Sequence, residues 1–428
     1  MPLTNVKPFN ALVYNQDKIR DISRVVCPPY DVISPAEQDF YHDLDPYNLI
    51  HVLLRKDIQG EDKYRRAGTI FRDWQKESIL IQEEKPAIYF YSQQFRVRGE
   101  EKNRRGFIAL LRLADENSAV FGHENTRLPA KEDRLKLLKQ VKANLSPIFS
   151  VFEDKKRIIN RIFEKHIKDL EPLISVKDKE KTVHKLWSVD SPEILASIKD
   201  SLSKENVFIA DGHHRYEVAC AYRSQEKQKS GEAYTGEEPF NYILSYFTNT
   251  DPRGLCILPI HRLISLDKKF DFKDFIAKLK SYFDIDEIKE KDRFFFLLEK
   301  GGRTEHLIGM YKDRRQFLLR LKNIKIIDSQ IQNKPKEYKS LDVCILNTLI
   351  LQRILGLDVE NKEIIQFSPD AESFIKAVDS SSSQIAFFMN PVRFEQISAL
   401  AIKGERMPSK STYFYPKVLS GLVINKLE

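Results

Sequence analysis

An α/β fold, built from mixed sheets with flanking helices in an α+β sense, is the class this chain predicts. Three observations point to it. Short apolar runs bounded by turn residues recur along the chain, as in Val207-Phe208-Ile209-Ala210. Amphipathic stretches with helical spacing lie between them, as in 61–77, where Tyr64, Ala67, Ile70, Phe71 and Trp74 share one face. The chain has 428 residues, more than one hydrophobic core usually spans. Two lobes are therefore expected, an N-terminal α+β lobe over 1–180 and a C-terminal α/β lobe over 181–428. The charged run Lys177 to Lys181 is their expected boundary.

The first sixty residues alternate apolar runs with turn signals, including Val25-Val26-Cys27-Pro28-Pro29-Tyr30-Asp31 and Leu49 to Leu54, and read as strands and ordered loops. Residues 87–97 and 106–113 predict a hairpin joined by a polar turn over 98–105. Helices are expected over 133–143 and 155–170, the second burying Ile158, Ile159, Ile162, Phe163 and Ile167. The second half predicts a strand at 183–189, a helix at 192–202, the strand 207–210, and a helix over 215–223. Strands at 241–247 and 254–258, a helix at 272–283, a hairpin over 305–321 and an apolar helix at 341–355 closed by Gly356 complete it.

Composition narrows the function classes. Hydrophobic residues make up 42% and charged residues 31%, which excludes wholesale disorder. The start, Met1-Pro2-Leu3-Thr4-Asn5-Val6-Lys7, lacks a secretory signal pattern, and the apolar run 344–357 is broken by Asn347, Gln352 and Arg353, so neither export nor a membrane partner is expected. A cytoplasmic location follows as the expectation. Four dispersed cysteines form no CxxC pair. The net charge of +8 is spread among interleaved acids and bases, so nucleic acid is not an expected partner.

The segment Asp211-Gly212-His213-His214-Arg215 follows a buried strand and opens a helix. A helix start gathers unpaired backbone N–H groups and the positive end of the dipole, which suits phosphate. Gly212 permits positive φ or close approach of a ligand. Arg215 offers a bidentate fork, and Asp211 either caps the helix or holds a divalent cation. His213 and His214 add donors or a proton carrier. Neither has a His or Cys at metal-ligand spacing, so a transition metal is not expected.

Phe208-Ile209-Ala210-Asp211-Gly212-His213-His214-Arg215-Tyr216-Glu217 closely resembles the signature of domain-of-unknown-function family 1015. Lys7-Pro8-Phe9, Cys27-Pro28-Pro29-Tyr30-Asp31, His123-Glu124-Asn125-Thr126, Asp133-Arg134-Leu135, Ala143-Asn144-Leu145-Ser146, Leu258-Pro259-Ile260-His261-Arg262 and Met407 to Lys417 extend that resemblance over nearly the whole chain. Over some fifteen residues the turn is also similar to the phosphate-binding motif of the ParB/sulfiredoxin fold. Sulfiredoxins carry Gly-Cys-His-Arg there, and His213 in place of the cysteine excludes sulfinic-acid reduction by that nucleophile. The Asp-Gly-His start looks more like the free-serine kinases. That resemblance implies a ParB/sulfiredoxin-like nucleotide-binding element and phosphoryl transfer to a small alcohol.

Other constellations complete the candidate site. Glu124 is the leading general base, with Asp31 as the other, and His123 and Arg127 beside Glu124 are assigned to substrate binding; a solvated turn is the bland alternative for the 123–127 loop, and a connection merely shaped by the X-Pro pairs is the alternative for Asp31. Lys410-Ser411-Thr412 and Lys417 offer ammonium and hydroxyl groups for phosphate where a loop enters a final strand or helix, without the glycines of a Walker A loop. Arg134, Asn144 and Arg262 are assigned to substrate binding, with helix-start or structural pairing as the alternative for the two arginines. The reading is a nucleotide-dependent phosphotransferase acting on a small hydroxyl-bearing metabolite such as free serine, with ATP or ADP and Mg²⁺. Phosphomonoester hydrolysis through His213 or His214, and a non-catalytic nucleotide-binding regulator, are the alternatives. Oligomeric state is left open.

Overall fold

The computed structural model describes residues 4–113, 119–267, 269–361, 363–381 and 383–428. Met1, Pro2 and Leu3 of the start read above lie outside them. The chain forms mixed α/β architecture in two compact units. One comprises residues 1–122, 126–256 and 416–428, the other 123–125 and 257–415.

The first unit is organised on a nine-stranded mixed sheet. Its strands are β1 (Val6–Lys7), β2 (Ile88–Val97), β3 (Glu100–Arg112), β4 (Val120–Phe121), β5 (Ile148–Phe152), β6 (Ile174–Lys177), β7 (Val183–Val189), β8 (Val207–Asp211) and β9 (Tyr242–Asn249). They lie in the order β4-β8-β5-β9-β3-β2-β7-β6, with β1 added against β3. The strand β8 runs parallel to β4 and antiparallel to β5. Ile158, Ile159, Ile162, Phe163 and Ile167 do pack inward, together with Ile194, Ile198 and Leu202, against Phe90, Phe107 and Phe247 of the sheet.

Several boundaries differ from the sequence reading. The hairpin β2–β3 pairs as far as Val97 opposite Glu100, leaving only Arg98 and Gly99 in the turn. Both have positive φ, +50° and +84°, the geometry of a type I′ turn. The boundary expected at 180/181 falls inside the sheet, because β6 and β7 form an antiparallel pair. The charged run is their turn, held by Thr182 N–H donating to Asp178 Oδ1 at 2.8 Å.

The stretch Leu49 to Leu54, read among strands, contains a helical turn, Ile50–Leu53, initiated when Ile50 N–H donates to Asn48 Oδ1 at 3.0 Å. A further helix, Pro35–Leu44, begins with a Ser34/Glu37 capping box. The helix expected from 133 starts at Leu128, and the one expected over 215–223 runs His213–Ser230.

The second unit holds a six-stranded sheet of β10 (His261–Ser265), β11 (Phe283–Ile288), β12 (Leu307–Lys312), β13 (Arg315–Leu321), β14 (Ile365–Ser368) and β15 (Gln384–Phe388), in the order β11-β13-β12-β15-β10-β14. Phe294, Leu298, Phe374, Ile375 and Val378 from two helices fill its core. Among the described residues, no helix is long and apolar enough to cross a membrane.

Candidate functional site

The turn after β8 is shaped by Gly212, whose φ is +90°. A Cβ there would meet Ile148 Cγ2 at 2.9 Å and Arg215 Nη2 at 3.0 Å, so glycine is required both by conformation and by space. The following helix is anchored by Val218 and Tyr222, which pack with Leu138 of helix Leu128–Val141 and with Leu427. Its N-cap residue, Gly212, has no side chain to cap it.

Asp211 therefore departs from the expected cap. Its Oδ2 accepts from Arg215 Nη2 at 2.7 Å, and its Oδ1 pairs with the Lys417 ammonium. The side chains of Asp211, Arg215 and Lys417 are 11%, 12% and 14% exposed, so this is a nearly buried cluster of one anion between two cations. Arg215 Nη1 also donates to the Pro147 carbonyl. The guanidinium thus ties β8 to the start of β5, with both terminal nitrogens already engaged. The expected open phosphate fork is a structural clamp, because folding brings Asp211 and Pro147 within its reach.

Asp31 stands beside this cluster without an ion-pair partner among the described residues. The residue as a whole is exposed, while its carboxyl group is surrounded by protein. Protein crowding and the Asp211 charge raise it above the usual carboxylate range, against the lowering effects of Arg215 and Lys417. Tyr30, which the sequence reading took only as part of a rigid loop, is raised to about 12 by burial and then by Asp31. The guanidinium of Arg134 lies 4.3 Å from the centre of the Tyr30 ring.

The histidines take different positions. His213 is buried, 5% exposed. His214 Nε2 accepts the backbone N–H of Arg127 at 3.0 Å, so the neutral ring carries its proton on Nδ1. The main chain of Arg127 thus joins the site. Glu217, quoted above within the family signature but given no role, accepts from Thr126 Oγ1 at 2.5 Å and Lys131 Nζ at 3.1 Å. Its placement one helical turn after His213 was the available signal.

Arg134 and Asn144 line a cavity of about 60 Å³ with Tyr30 and Arg215. Both are tied into the structure. Arg134 donates to the Leu53 carbonyl at 2.8 Å and to Asp133. Asn144 Oδ1 accepts from Leu244 N–H and Asn425 Nδ2, each at 3.1 Å.

The remaining candidates belong to the second unit. His123, 1% exposed, lies 3.1 Å through Nε2 from Thr412 Oγ1, and Thr412 donates to Glu124 Oε1 at 3.2 Å. The segment is pinned by Met407 N–H donating to the His123 carbonyl at 2.8 Å. Ser411 donates to Pro408 O at 2.5 Å. Lys410 is exposed, and its carbonyl accepts from the buried Arg262 at 2.9 Å. Lys410 and Thr412 thus fall in one unit and Lys417 in the other, since the chain changes unit between 415 and 416.

A divalent ion at Asp211 would need its carboxylate oxygens, and each already faces a cation. Asp211 does not fit the metal-ligand role. Among the described residues, no group of three or more His, Cys, Asp or Glu side chains could hold a metal ion.

The family model described as a protein of unknown function, DUF1015, matches residues 6–344. No curated protein matches the chain. Similar solved structures include a mutant free serine kinase in complex with ADP, at 10% identity and a TM-score of 0.36, covering 73% of this chain and 91% of that one. A conserved hypothetical protein from Pyrococcus furiosus, at 13% identity and 0.34, covers 75% and 95%. SbnI with a C-terminal truncation from Staphylococcus aureus, at 9% and 0.36, covers 73% and 85%.

Proposed function

The chain belongs to the DUF1015 family of proteins of unknown function, and we propose that it is a nucleotide-dependent phosphotransferase acting on a small hydroxyl-bearing metabolite. The observation that carries the reading is Asp31, whose proton affinity is raised by burial and by Asp211 in the charge field of Asp211, Arg215 and Lys417. A base works best when its pKa approaches the working pH, which burial and a like-charged neighbour both favour. Beside it lies the start of helix His213–Ser230, whose positive dipole end suits phosphate oxygens.

In this reading the substrate hydroxyl oxygen attacks the terminal phosphorus of the nucleotide. The new O–P bond forms as the bond to the leaving nucleotide oxygen breaks, and Asp31 takes the hydroxyl proton. Positioning and charge neutralisation supply most of the rate. Free serine is the first acceptor to test, on the similarity of the Asp211-Gly212-His213 start to the free-serine kinases. No step is assigned to a metal at Asp211. A phosphorylated His214 is disfavoured, because its Nε2 lone pair accepts the Arg127 N–H.

The test incubates the full chain with ATP or ADP as the magnesium salt and free serine, reading phosphoserine by ³¹P NMR and nucleotide binding by calorimetry. Asp31→Asn is expected to slow transfer by about 10²- to 10⁴-fold while retaining nucleotide binding. Binding without transfer to serine or other small alcohols would favour the regulator. Absence of both binding and transfer would overturn the proposal.

A further inference from the structure

The second unit contains a cavity of about 280 Å³ whose walls include Arg262, Arg303, His306, Asp342, Asn390 and Arg393. Its volume lies at the low end for small-ligand pockets, suited to a metabolite rather than a macromolecule. Arg262 is the decisive residue. It sits on β10 and is only 1% exposed. Its Nη1 donates to Ile260 O and its Nη2 to Lys410 O, both neutral carbonyls. Its Nε has no hydrogen-bond partner among the described residues.

No carboxylate among the described residues forms an ion pair with this guanidinium. Burial lowers its pKa to about 9, which leaves it cationic at neutral pH. A buried charge without an opposite charge is costly, and an unfilled donor adds to that cost. The acids of the cavity wall do not compensate, since Glu305 pairs with Arg320 at 2.5 Å and Asp342 with His306 Nδ1 at 2.8 Å. Arg393 adds a further positive charge to the wall, and Arg303 another that is paired with Glu299 at 3.5 Å.

We propose that this cavity is a binding site for a small oxyanion-bearing molecule, a phosphate or a carboxylate, whose oxygens complete the donor set of Arg262. His306, backed by Asp342, supplies a proton-bearing partner for the same ligand. The site lies wholly within the second unit and is independent of the phosphotransfer reading.

Calorimetry on the full chain, with sodium phosphate in one arm and sodium acetate in the other, at ionic strength matched with chloride, tests the proposal. At least one anion is expected to bind with a Kd of about 1 mM or tighter. The arm that binds identifies the ligand class. Arg262→Lys keeps the charge but removes the forked donor, and should weaken binding by at least about tenfold. Should that variant fail to fold, Arg393→Gln, at an exposed position, is expected to weaken binding in the same direction. Lys204→Gln, at an exposed position in the other unit, should leave it unchanged. Lack of binding in both arms, or binding that survives the Arg262 and Arg393 substitutions, would overturn the assignment.

Discussion

His184 shows how one buried side chain makes stability depend on pH. It is 1% exposed, donates through Nε2 to Asp178 Oδ2 at 2.9 Å and accepts through Nδ1 from Tyr91 Oη at 2.6 Å. Burial lowers its pKa, only partly offset by Asp178. The folded state therefore holds the neutral ring, while the unfolded chain binds a proton near pH 6.5. This contribution is fully present above about pH 6.5 and is lost as pH falls through the lower folded value. His42 and His51, also lowered by burial, act in the same direction. Thermal midpoints measured from pH 8 to 5 should be flat above neutrality and fall below it. His184→Asn should make the wild-type and variant curves converge at low pH. Parallel curves over the whole range would show that His184 does not titrate between the two states. The candidate site was only half legible at this scale. The residue types at 211–215 and the acid at 31 were visible, but the mutual engagement of Asp211, Arg215 and Lys417 depends on a partner 206 positions away in sequence.

At the scale of elements, periodicity found what it can detect. The strand at 183–189 and the helix at 192–202 have the expected bounds; the helix buries Ile194, Ile198, Ser201 and Leu202 at helical spacing. Helix 213–230 ran past its expected end because its last turns, Ser224 to Ser230, carry no buried apolar residue and are held by polar helix formers up to Gly231. The five-residue π turn over Phe163–Ile167, with Lys168 N–H donating to the Phe163 carbonyl, leaves no periodic signature. The Ser34, Pro35 and Glu37 start of the first helix carries a capping-box signature in the sequence itself. The turn at Gly212 gives this scale its prediction. Gly212→Ala must place a Cβ at 2.9 Å from Ile148 Cγ2 at a φ of +90°, which should cost about 1–3 kcal/mol. Urea unfolding should show that loss with an unchanged m value. A variant as stable as the parent would mean that the turn relaxes freely, and the pre-shaped helix start would lose its support.

At the scale of the molecule, the first unit is closed by its last thirteen residues, 416–428. Ile424 bridges Leu12, Ser420 bridges Cys27, and Asn425 pairs with Asn144. Val418, Leu419, Leu422, Val423, Ile424 and Leu427 are all buried, and Lys417 carries one of the two cations on Asp211. A sequence reading divided at 180 could not anticipate this, because a strand added from the far end of the chain has no local signal. Each of those six aliphatic side chains contributes about 1.5–3 kcal/mol on burial. Together they amount to roughly 10 kcal/mol or more, comparable to the whole stability of a typical domain. Deleting 416–428 is therefore expected to abolish cooperative unfolding of the first unit. Hydrogen exchange would show this as lost protection in β3, β8 and β9. The second unit keeps its six-stranded sheet and should retain protection in β10, β12 and β15. If the truncated chain protected β8 and β9 as well as the full chain does, the closing segment would be a passive cover, and the Lys417–Asp211 pair could not be what fixes the turn.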